Sequence, residues 1–196
     1  MSSTKKKIVI SMVAVLTVVA LAAVALVAVF AARQVTVNSG LTITYTAEQV
    51  KATVSGSYQR QGDASPTSFG SNLTFDGTER TANSTNAKSF SPVDITLTYE
   101  KQYVDLTYTI ANTDTTKAIR IALTDPNEAN DNVTYTYTVT NNSVAVANPT
   151  TENLLGEGGS LAAGESAVVT IRIAIEDAEE NVTLTNKQLV FALSIA

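Results

Sequence analysis

The sequence predicts an all-β protein, an immunoglobulin-like or jelly-roll β-sandwich, preceded by one N-terminal transmembrane helix. Three observations lead there. Residues 8–32 form a run of 25 residues without a single charge. Four later segments alternate apolar and polar side chains strictly. Turn-forming residues punctuate the rest of the chain at hairpin spacing.

The apolar run comes first. At about 1.5 Å per residue it makes roughly 37 Å of helix, enough to cross a hydrocarbon core of about 30 Å with some tilt. A cleavable signal has a shorter apolar core, about 7–15 residues, followed by a small-x-small site. Here Val29-Phe30-Ala31 is only a tolerable cleavage match. A retained signal-anchor is therefore the expectation, a cleaved signal the alternative, and a buried core helix of a soluble protein the third reading. Lys5, Lys6 and Lys7 on one side against Arg33 on the other place the N-terminus in the cytoplasm. The expected organisation is a cytoplasmic basic start at 1–7, a single pass through the lipid bilayer at 8–32, and an extracytoplasmic domain at 33–196. The chain ends on the apolar run 189–196, so the N-terminal segment is the expected attachment.

Beyond Arg33 the pattern changes to period two. Residues 41–47 (LTITYTA), 50–58 (VKATVSGSY), 104–110 (VDLTYTI) and 133–139 (VTYTYTV) alternate apolar with polar. Such alternation means strands with one face buried and a threonine-rich face toward water. Further strands are expected at 72–75, 94–99, 118–123, 167–175 and 188–195, which makes about nine. Between them stand turn signals at 38–40, 76–77, 112–114, 125–127, 141–143 and 156–159. Hairpin-scale gaps between many short strands are the pattern of a sandwich. Residues 78–91 are polar and aperiodic and read as a long exposed loop. Tyr108, Tyr135 and Tyr137 fall on the apolar phase of their strands, so they read as core.

Two short stretches carry a resemblance. One is 106–114, LTYTIANTD, a strand ending in an asparagine-threonine turn. The other is 160–173, SLAAGESAVVTIRI, a turn with glycine feeding an alternating strand. Together they resemble turns of bacterial surface β-sandwiches. The layout of lysine-rich start, apolar helix and sandwich is similar to the camelysin/TasA-type exported proteins of Gram-positive bacteria. That resemblance implies an exported sandwich, in some members a fibre subunit, and assigns no functional residue.

Composition narrows the chemistry. Of 13 basic residues four lie at or before Arg33, leaving nine against all 18 acidic ones in the outer part. A domain of that sign does not suit nucleic acid or anionic lipid. Histidine and cysteine are absent, which removes Ser-His and Cys-His nucleophiles, His/Cys zinc sites and the usual near-neutral proton shuttle. A disulfide-free exported domain also leans toward a bacterial source. Carboxylate pairs remain. Glu176, Asp177, Glu179 and Glu180 are the densest acidic group and read as a solvated loop. Residues 125–132 (DPNEANDN) offer hard oxygen ligands, and Asp125, Asn127, Glu128, Asn130 and Asp131 are calcium candidates. Ala129 interrupts the helix-loop-helix calcium spacing, so an ordinary turn competes with that reading. N-x-S/T triplets occur at Asn72, Asn83, Asn132, Asn141 and Asn181. They are glycosylation acceptors in a eukaryotic secretory protein and chance matches in a chain rich in Asn and Thr.

The expected function is a non-catalytic cell-surface structural or adhesive module with no cofactor, tethered by residues 8–32. Its partners are then the bilayer, other surface proteins or further copies of itself. The alternatives are a carbohydrate- or calcium-binding surface module, favoured by a Tyr-lined exposed face, and a fibre subunit assembling by strand exchange. The last turns on whether residues 34–38 and 41–47 pair within their own domain.

Overall fold

The computed structural model describes residues 35–38, 41–46, 50–77, 85–97, 102–124, 133–175 and 189–196. The anchor expectation at 8–32 lies outside them. Among the described residues no helix is long and apolar enough to cross a membrane, and every regular element is a strand.

The strands run β1 Val35–Asn38, β2 Thr42–Thr46, β3 Lys51–Arg60, β4 Thr67–Ser68, β5 Leu73–Asp76, β6 Thr85–Ser89, β7 Asp94–Leu97, β8 Tyr103–Asn112, β9 Ile119–Leu123, β10 Val133–Asn141, β11 Val144–Ala145, β12 Ser166–Ile175 and β13 Val190–Ile195. The nine expected strands are β2, β3, β5, β7, β8, β9, β10, β12 and β13, with ends shifted by a few residues. The larger sheet has the order β11-β10-β12-β8-β3-β4, with β5 also on β3. The smaller is β6-β2-β13-β9, and β1 pairs with β7. Apart from the parallel β2–β13 pair, neighbouring strands are antiparallel.

The two sheets pack face to face on one core. Val104, Leu106, Tyr108 and Ile110 of β8 are fully buried, as are Val169 and Ile171 of β12 and, from the smaller sheet, Ile43, Ile121 and Phe191. Thr107 and Thr109 lie on the other, solvent-facing side of β8 and are half-buried. The alternation read from the sequence is thus the inside-outside alternation of the sheet. Tyr108 joins the layers: its ring meets Phe191 edge-on at 5.4 Å and lies nearly parallel to Phe69 at 5.7 Å. This close stacking needs Gly56, directly opposite Tyr108 on β3. A Cβ there stands 2.8 Å from the Phe69 ring and 2.9 Å from that of Tyr108. Tyr135 and Tyr137 pack against the core but stay half-buried. Among the described residues their strand is flanked on its outer side only by the two-residue β11.

Residues 78–91, expected as a loop, contain a strand. Residues 85–89 are β6 and pair with β2, Phe90 is buried, and 78–84 lie outside the described residues. Periodicity misses β6 because its inward phase carries lysine. Lys88 stands opposite Ile43, donates from Nζ to the Thr74 carbonyl at 2.7 Å and lies over the Phe75 ring at 5.3 Å. A lysine with its stem on apolar surface is a common guard for an edge strand. Both N-terminal segments pair within this chain, β1 with β7 and β2 between β13 and β6.

Candidate functional site

Two of the places where polar side chains gather differ in what their polar atoms touch. The first is a corner where the two resembling motifs meet. The Asn112 side-chain amide, 2% exposed, donates to the carbonyls of Lys117 at 2.8 Å, Leu161 at 3.0 Å and Ala162 at 3.1 Å. Its Oδ1 accepts from the Asp114 backbone N–H. The main chain of Asn112 is tied as well, its N–H to the Glu165 carbonyl and its carbonyl to the Gly164 N–H. Gly164 sits at φ 78°, in the left-handed region that glycine enters without a Cβ clash, and this brings its N–H toward β8. Glu165 closes the turn by accepting the Ala162 N–H.

Asp114 completes the corner. Its Oδ1 accepts the backbone N–H of Thr116 at 2.8 Å and of Lys117 at 3.0 Å, and the Thr116 hydroxyl at 3.2 Å. The Thr116 and Lys117 N–H groups, with a smaller contribution from the Lys51 charge, hold its carboxyl down at about 2. This is an Asx-type turn in which the side chain does what a strand partner would do. Asn112 thus joins β8 to the turn before β12, and Asp114 shapes the turn that leads to β9.

The second place is the outer face of the larger sheet. The register sets polar side chains in rows across the strands. One row reads Thr138, Thr170, Thr107, Ser57 and Ser68, from β10 across β12, β8 and β3 to β4. The Thr107 and Thr170 hydroxyls lie 3.4 Å apart. The neighbouring row reads Thr136, Arg172, Asp105 and Gln59. Here Arg172 grips Asp105 with two parallel bonds, Nε to Oδ1 at 2.7 Å and Nη2 to Oδ2 at 2.8 Å. Its guanidinium lies over the Tyr103 ring at 4.0 Å. The bonds to Asp105 push the Arg172 pKa up. An exposed pair of this kind adds only about 0–1 kcal/mol to stability. Where the two rows meet there is a shallow depression of about 240 Å³ lined by Asp105, Thr136, Thr138, Thr170 and Arg172.

The candidates read from the sequence fall elsewhere. Asp125, Asn127, Glu128, Asn130 and Asp131 lie outside the described residues, as does the acidic group 176–180. Of the triplet asparagines, Asn72 is exposed, Asn141 is half-buried at the end of β10, and Asn83, Asn132 and Asn181 lie outside. Among the described residues no cluster of His, Cys, Asp or Glu could hold a metal ion. The Arg172–Asp105 pair escaped sequence reasoning because 67 residues separate its members. The one available signal was an arginine and an aspartate on the polar phases of two alternating strands. Comparison with protein-family models, curated proteins and solved structures finds no match to this chain.

Proposed function

We propose that the chain is a non-catalytic structural or adhesive module of a bacterial cell surface, an immunoglobulin-like or jelly-roll sandwich held at the membrane by residues 8–32. The observation that carries this reading is the 25-residue uncharged run, preceded by Lys5, Lys6 and Lys7 and followed by a strand-rich domain holding all 18 acidic residues. The length suits a span and the lysines suit a cytoplasmic start. The layout that resembles camelysin/TasA-type proteins points the same way. The sandwich favours a self-contained module over a subunit that lends a strand, since β1 and β2 both have partners in their own chain. No catalytic residue and no cofactor belong to this reading.

Protease shaving of intact cells, with N-terminal sequencing of the membrane fraction, tests it. The expected result is an intact start in the membrane and an outer domain cut by added trypsin. A mature chain beginning near Arg33 and free in the medium contradicts the tether, and full protection from trypsin contradicts the surface location. A second reading, a ligand-binding surface module, is favoured by the threonine face.

A further inference from the structure

We propose that the outer face of the larger sheet is a binding surface for a neutral polysaccharide, with the Tyr103–Arg172–Asp105 group as the point where one sugar ring seats. The inference rests on the surface location proposed above. Its basis is the row of hydroxyl side chains Thr138, Thr170, Thr107 and Ser57 across four strands, ending at Ser68, whose hydroxyl bonds the Gly70 main chain. Strands lie about 4.8 Å apart, so the four side chains place one hydroxyl per strand over roughly 15 Å, with those of Thr107 and Thr170 drawn together to 3.4 Å. A linear polymer of pyranose rings presents hydroxyl groups at a comparable repeat, each able to donate and to accept. Threonine hydroxyls do both as well, so polymer and row match without a fixed polarity.

Charge selects among ligands. The Arg172 guanidinium is already gripped by Asp105, and the two rows otherwise carry uncharged side chains, in a chain of net charge −5. An anionic polymer meets no unneutralised cation there, whereas a neutral one loses nothing. The pair still has recognition chemistry. The carboxylate has lone pairs left for sugar hydroxyls, and the guanidinium, held over the Tyr103 ring at 4.0 Å, lines the depression. A peptide ligand, by contrast, needs pockets for apolar side chains or a free strand edge, and this face supplies hydroxyls.

The test is co-sedimentation of the full chain, in detergent, with insoluble cellulose, chitin and xylan, and retention on heparin resin as the anionic comparison. The expected result is retention on at least one neutral polymer that survives raised salt. Thr107→Val with Thr170→Val, which keeps shape and strand preference while removing two hydroxyls, should weaken retention about tenfold or more. Thr107→Ser with Thr170→Ser should restore it, and both variants should melt with the parent. Absence of retention on all three neutral polymers overturns the inference. So does equal retention by the valine variant, or retention only on heparin that salt abolishes. Self-association lost in the valine variant, without polymer retention, also overturns it and assigns the face to a second copy of the chain. Trypsin cleavage on intact cells without polymer retention defeats this inference alone, whereas full protection from trypsin defeats the surface reading beneath it.

Discussion

The Asn112–Asp114 corner and the threonine face are both built from polar residues on β8 and its neighbours, yet they are opposites in bonding. At the corner the Asn112 side chain and the Asp114 Oδ1 are spent inside the chain, on carbonyls and N–H groups of residues 114–117 and 161–162. On the face the hydroxyls of Thr136 and Thr138 are exposed, and the Arg172–Asp105 pair sits half in water. The difference teaches how to sort polar residues in a sandwich. A buried group whose partners are backbone carbonyls holds the fold, because removing it takes away enclosed bonds that water does not replace. An outward group whose alternative partner is water contributes little to stability and is available to a ligand.

The comparison can be broken or sharpened by substitution. The reference effect is packing: Leu106→Ala, from the fully buried phase of β8, should cost about 2–5 kcal/mol in urea unfolding. Next comes the corner. Asn112→Ala removes the donor for three carbonyls and should cost about 3 kcal/mol. If it costs no more than a surface change, the corner is not a fold determinant.

The corner also predicts a pH response. The Asp114 carboxyl is held down at about 2 in the folded chain, against 3.8 for a free side chain. A depressed carboxyl contributes its stabilisation fully above the unfolded value and loses it as pH falls through the folded one. The stability of the wild type should therefore fall between about pH 4 and pH 2. Asp114→Asn, which cannot titrate, should show a shallower fall over that window when melts are compared at several pH values. Parallel curves would mean that other carboxyls carry the acid limb.

A smaller effect of opposite sign is expected inside the core. The Tyr108 hydroxyl is enclosed with no hydrogen-bond partner among the described residues, and burial pushes its pKa up. Tyr108→Phe keeps the ring stack on Phe69 and the edge contact with Phe191 and removes the enclosed hydroxyl. It should raise stability by about 1 kcal/mol. A loss of that size would reveal a partner for the hydroxyl.

Much of this fold was legible in the sequence, for reasons that also mark the limit. β3, β8, β10 and β12 could be read because burial on one face forces period two, and because a one-residue slip would turn Leu106, Tyr108 and Ile110 outward. β4 and β11 are two residues each, too short to show a period, and β6 has lysine where an apolar residue was sought. Phe69 stands between Ser68 and Gly70 with no alternation around it, so its place in the aromatic stack depends on the β3–β4 pairing alone. The Asn-Thr and Gly-Glu-Ser turns were each visible as turns. Their meeting was not, since it follows from the pairing of β8 with β12. The hydroxyl row is one step further from the sequence, because it needs the registers of five strands together.

The central claim is that polar atoms at the corner hold the fold while those on the face do not. Urea unfolding of Asn112→Ala and of Thr107→Val with Thr170→Val, side by side with the parent chain, tests it most directly. The account predicts a loss of about 3 kcal/mol for the first and a change within about 0.5 kcal/mol for each position of the second. Equal losses, or a larger loss from the face, would contradict it.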